Sequence, residues 1–237
     1  MGTFTVSRAN LVGRVRAADP QLLVFLAAVA ALGVTGGIFD TTINNYLSDT
    51  FRIGADARGA LEFPREFPGF LVALFAGALF FLSETRVAAV ASAVLAIGMV
   101  GLALPRPTWT WMLVFLIAWS IGQHIEMPMR SAIPMSLGSA RQHGRRMGQA
   151  TGARTGATVL GCLLVWILLD YVGANYALTF LVGGVTAAVG ALLYLRIRPI
   201  ARAPKRAKFV LKRRYWVYYV LCTLFGSRKQ VFITFAP

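Results

Sequence analysis

Charge is scarce in this chain, and negative charge is scarcer still. Of 237 residues, 14% are Asp, Glu, Lys or Arg, whereas 57% are hydrophobic. A soluble domain averages about 25% charged and about 45–50% apolar residues. There is too little polar surface here for an ordinary soluble enzyme. Cysteine and histidine are nearly missing, with 2 of each. Cys162 and Cys222 lie in apolar runs, with no CxxC spacing and no neighbouring His. Such residues act as small hydrophobes, so neither a disulfide nor a metal site is expected. No P-loop, HExxH motif, dinucleotide-binding glycine pattern or Ser-His-Asp spacing occurs. No enzyme activity and no cofactor are expected.

Positive charge is plentiful by comparison: 24 Lys plus Arg stand against 9 Asp plus Glu, a formal net charge of +15. On a soluble chain that excess would suggest nucleic acid. Here the basic residues fall between apolar runs and are not interleaved with aromatics, so no nucleic-acid partner is expected. A lipid bilayer is the expected partner.

The apolar runs themselves are long. They cover 21–39, 67–82 (its helix starting near Gly59), 87–104, 109–129, 147–169, 175–195 and 215–237. A membrane-spanning helix needs roughly 20 apolar residues. The expected organisation is an all-α integral membrane protein: a tail over 1–20, a six-span unit over 21–195, a basic connector over 196–214, and the start of a seventh span over 215–237. The polar stretch 48–59 reads as a loop. Taking alternate loops, 17 Lys and Arg fall on the side of the amino terminus, against Arg52, Arg58, Arg65 and Arg106 on the other. The positive-inside rule then predicts a cytoplasmic amino terminus in a multi-pass cell-membrane protein.

Ionisable groups inside spans are costly and mark cavities or partners. Asp40 and Asn44, four apart, share a helical face in the first span. Gln123, His124 and Glu126 lie in the fourth, where Glu126 can pair with Arg130 across one turn. Glu62, Arg65 and Glu66 form a set at the mouth of the second span, or loop charges if that span starts later. Arg154 in the fifth span needs an acid, for which Glu126 and Asp40 are available. Gly148, Gly152 and Gly156 repeat every four residues, and they predict a face for close helix packing. Arg228 and Lys229 fall within the seventh run, which is alternatively a basic helix on the membrane surface. Strongly polar residues thus recur in spans one, four and seven, while spans three and six carry no charge between their ends. That is the period of a bundle built from three-helix repeats. One shared aqueous path is expected for Asp40, Asn44, Gln123, His124 and Arg228, with Asp40 as the carrier of a coupling proton.

Six spans, a cytoplasmic amino terminus, a long basic connector and the segment HGRRMGQATGARTGATVLG from His143 to Gly161 together resemble the amino-terminal half of a major facilitator superfamily (MFS) transporter. The turn Ser83-Glu84-Thr85-Arg86 nearly lacks the family's G-x-x-x-D-R-x-G-R-R signature. Ala153 after Gly152 breaks the glycine-proline motif of the drug antiporters. The resemblance implies an MFS-type six-helix bundle in a truncated twelve-span protein. It also implies alternating-access transport of a small, anionic or proton-coupled solute, a substrate path lined by spans one and four, and a carboxy-terminal half of the same protein as partner. The rival expectations are a membrane-embedded lipid or isoprenoid enzyme and a complete small oligomeric membrane protein.

Overall fold

A computed structural model describes residues 19–78, 82–104, 108–137, 140–198, 213–218, 220, 221 and 224. Among these no strand occurs. The helices are α1 (Pro20–Phe51), α2 (Ala55–Ala78), α3 (Glu84–Leu102), α4 (Trp109–Ser136), α5 (His143–Trp166) and α6 (Tyr176–Arg196). A π-turn, Ile167–Tyr171, extends α5.

Local signals set most of the boundaries. Asp19 accepts a bond from the Gln21 amide at 3.0 Å, and Pro20 occupies the first turn of α1. Thr108 and Asn175 cap α4 and α6 in the same way, accepting from the amides of Trp111 and Leu178. Such caps satisfy donors that a helix start leaves open. The loop expected over 48–59 shrinks to a few residues. No Gly or Pro interrupts 40–51, so α1 runs on to Phe51 before Arg52 turns the chain at φ 53. α2 then begins at Ala55, which places Glu62, Arg65 and Glu66 on a helix.

Five of these helices, α1, α3, α4, α5 and α6, are long and apolar enough to cross a membrane. α2, which carries Arg58, Glu62, Arg65 and Glu66, is not among them. The expected seventh span lies largely outside the described residues. Within it, 213–215 form a 3-10 turn and 216–218 are helical and exposed.

α6 shows how such a helix is solvated. Leu178, Leu181, Val185, Leu192 and Leu195 are exposed along one stripe. Thr179, Phe180, Gly183, Ala187, Gly190 and Tyr194 are buried on the other. The small, polar-bearing face is inside and the aliphatic face outside, the reverse of a water-soluble helix. At 1.5 Å per residue its 21 residues span about 31 Å, close to the ~30 Å hydrocarbon core of a bilayer.

α1 packs on α5 and α6, α3 on α4 and α6, and α2 on α4, with lighter contacts of α4 with α5 and with α1. Exchanging α1 with α4, α2 with α5 and α3 with α6 carries each of these pairs except α4–α5 into a pair of the same set.

Close approach is concentrated at three glycines of the α1–α5 seam. A Cβ at Gly33 would lie 2.5 Å from the Arg154 carbonyl oxygen. One at Gly37 would overlap the Thr158 carbonyl, and one at Gly161 the Val34 carbonyl. Gly98 and Gly122 do the same at the α3–α4 seam. The sequence expectation placed the packing face at Gly148, Gly152 and Gly156. That face is corrected: a Cβ at any of the three meets nothing within 4 Å. The α5 residues that touch α1 start lower on the helix's other side, at Arg154, Ala157 and Gly161. Beside the seams, Phe39 of α1 stacks on Trp119 of α4 with ring centroids 3.4 Å apart.

Candidate functional site

α4 carries charge on two sides. His124 and Glu126 are two residues apart, so they point about 200° apart around the helix. His124 meets α2, and Glu126 meets α5 and α6.

On the α2 side, Glu62 accepts from Arg58 one turn back and from Arg65 Nε at 3.0 Å. Arg65 also pairs with Glu66 at 2.9 Å. Arg58 reaches across to α1, where its Nε donates to Asn44 Oδ1 at 2.8 Å. Glu66 continues the chain of contacts to His124 Nε2 at 3.3 Å. The other ring nitrogen, Nδ1, faces the Ser120 carbonyl at 2.9 Å. The Ser120 hydroxyl is committed as a donor to the Arg65 carbonyl, so towards Nδ1 it presents a lone pair. A carbonyl and a carboxylate both accept only. The ring is therefore held between two acceptors, and satisfying both requires one proton more than a neutral imidazole and a carboxylate possess together. Both contacts are hydrogen bonds only when that extra proton is held, on His124 or on Glu66. Gly69 makes the approach possible, since a Cβ there would come within 2.9 Å of the imidazole.

On the opposite side Glu126 is 2% exposed. Tyr194 of α6 donates its phenolic hydrogen to Glu126 Oε1 at 3.0 Å. Arg130 Nε lies 3.8 Å from Oε2, and Arg154 Nη1 of α5 lies 4.0 Å from it. Glu126 is ten residues from the end of α4 and Arg154 eleven from the start of α5, each about 15 Å deep at 1.5 Å per residue. Asp40 also attracts Arg154 electrostatically. Between α4 and α5 is a cavity of about 200 Å³, lined by Arg130, Ser131, Thr151, Arg154 and Thr155 among others.

The pairings expected for Glu126 with Arg130, and for Arg154 with Glu126, are both present. The single path expected for Asp40, Asn44, Gln123 and His124 is divided instead. Asn44 and His124 join the α2 cluster, Asp40 lies on an exposed face of α1, and the buried Gln123 Oε1 has no hydrogen-bond partner among the described residues. Arg228 and Lys229 lie outside the described residues. Four contributors were missed from sequence: Arg58, Gly69, Ser120 and Tyr194. The four-residue spacings Arg58–Glu62 and Ser120–His124 were the available signals for two of them, whereas nothing local marks Gly69 or Tyr194. The charges gather on the helices flanking α4 and not only at a period of three spans.

No family model matches this chain, and no curated protein is significantly similar to it.

Proposed function

We propose that this chain forms the six-helix half of an MFS-type secondary transporter, which couples movement of a small solute to a proton by alternating access. The observation that carries the reading is the His124 ring set between the Glu66 carboxylate and the Ser120 carbonyl. A proton shared at mid-helix depth between two helices can be taken up from one side and released to the other when α2 and α4 separate. The pair thereby replaces Asp40 as the coupling site. The near-symmetric set of helix contacts, with α4–α5 outside it, supports the MFS comparison, because inverted three-helix repeats produce such a set. Groups as costly in lipid as Glu126 and Arg154 support a solute path, since they belong beside a cavity. The open face of α5 at Gly148, Gly152 and Gly156 leaves room for a second bundle, the carboxy-terminal half of the same protein. In this reading the protein is a multi-pass cell-membrane protein with a cytoplasmic amino terminus, as its basic connector suggests.

The test uses the full-length gene product reconstituted into vesicles loaded with a pH-sensitive dye. Small carboxylates, phosphate, neutral sugars and amines are added one at a time. At least one class should change the lumenal pH at a rate that scales with protein. If no solute moves protons, and a pH gradient drives no solute uptake, the reading fails.

A further inference from the structure

We propose that the cavity between α4 and α5 is a binding site for a small oxyanion, a carboxylate or inorganic phosphate. The proposal deepens the transport reading by naming a substrate class, and it rests on that reading for the anion's role but not for its binding.

The charge balance around the cavity is the first argument. Two guanidinium groups, Arg130 and Arg154, line it, and they share one carboxylate, Glu126. That carboxylate is already bonded to the Tyr194 hydroxyl. The separations to the two arginines, 3.8 and 4.0 Å, exceed the ~2.7–2.9 Å of a charge-assisted hydrogen bond. Neither arginine is satisfied by it. Among the described residues the buried Arg154 Nη1 has no hydrogen-bond partner. Asp40 attracts Arg154 from the α1 side, but it does not line the cavity.

The shape of the donor set is the second argument. Arginine presents a planar fork that matches two oxygens of a carboxylate or phosphate. Ser131, Thr151 and Thr155 add hydroxyl donors to the same wall. The volume of about 200 Å³ is below the ~300–1,000 Å³ typical of pockets for drug-sized ligands. It suits an anion of a few heavy atoms. A neutral solute without an acceptor oxygen would leave the buried Arg154 Nη1 unpaired.

The test is thermal unfolding of the purified full-length gene product, read by tryptophan fluorescence at constant ionic strength. Sodium acetate and sodium phosphate are compared with sodium chloride. Acetate, phosphate or both should raise the unfolding temperature saturably, while chloride should not. Acetate alone assigns a carboxylate site, phosphate alone a phosphate site, and both together a general small-oxyanion site. Arg154→Gln should move the half-saturating concentration up about ten-fold or more, the worth of a charged hydrogen bond. Thr151→Val, which leaves every ion pair in place, should weaken binding in the same direction if Arg154→Gln does not fold. The absence of a saturable oxyanion effect overturns the proposal, as does an identical effect in wild type and both variants. Oxyanion binding without any gradient-driven transport keeps the site and defeats the transporter reading. Solute-coupled proton movement without an oxyanion effect defeats the site alone.

Discussion

Glu126→Leu should destabilise the bundle by about 3–5 kcal/mol, because removing one partner leaves buried charge uncompensated. Two arginines depend on this carboxylate, from α4 itself and from α5, and Tyr194 of α6 loses its acceptor. Glu126→Gln should cost less, since the amide oxygen still accepts from Tyr194. The informative companion is the triple change Glu126→Leu, Arg130→Leu and Arg154→Leu. Well-packed apolar groups in place of a buried ionic set are often neutral or stabilising. The triple variant should therefore recover most of the stability lost by Glu126→Leu while abolishing transport. Unfolding in detergent gives the first quantity and vesicle assays the second. A triple variant no more stable than Glu126→Leu would mean that the charges specify the packing of α4, α5 and α6 and are not held for function.

Gly37→Leu should be the most damaging glycine substitution on the α1–α5 seam. Even a Cβ at Gly37 would overlap the carbonyl oxygen of Thr158, and a backbone atom cannot rotate away as a side chain can. Overpacking of this kind costs typically 1–3 kcal/mol, occasionally more, and a backbone clash belongs at the top of that range. Gly152→Leu should leave the six-helix unit folded, because a Cβ there meets nothing within 4 Å. Its effect should fall on whatever covers the open face of α5. Folded yields of the two variants, measured by size-exclusion chromatography, check the contrast. Equal losses would put Gly152 in a packed seam after all.

The membrane class was legible because it rests on bulk quantities. Runs of about 20 apolar residues and a chain that is 14% charged leave few alternatives. The starts of α1, α4 and α6 were legible from the apolar runs that begin at 21, 109 and 175, within one residue of the helix starts. The end of α1 was not, since the polar residues from Ser48 onward suggest a loop, yet the helix that carries Asp40 and Asn44 runs on to Phe51. Their neighbours Thr42, Ile43, Tyr46 and Leu47 are buried.

Ion pairs within a helix could be read from spacing, as for Glu126 with Arg130. Pairs between helices could be named only as available partners, as for Arg154 with Glu126. The link from Glu66 to His124 was invisible because it depends on how α2 and α4 meet, and that meeting depends on Gly69. The glycine error has the same origin. Two sets of small residues lie on α5, and sequence spacing favours the regular set at Gly148, Gly152 and Gly156. The helix uses Ala157 and Gly161, because Gly33 and Gly37 of α1 stand opposite them. A stripe of small residues says that close approach is allowed, and only the partner helix decides where it happens.

In the proposed cycle the Glu66–His124 pair carries the coupled proton. The most direct measurement of this compares wild type with Glu66→Gln in the same vesicles, in two modes. Uphill solute accumulation driven by a pH gradient requires a proton to move, whereas solute exchange at equal pH does not. The account predicts that Glu66→Gln abolishes gradient-driven accumulation while exchange persists, and that His124→Asn does the same. Gradient-driven accumulation in Glu66→Gln equal to that of wild type would contradict it.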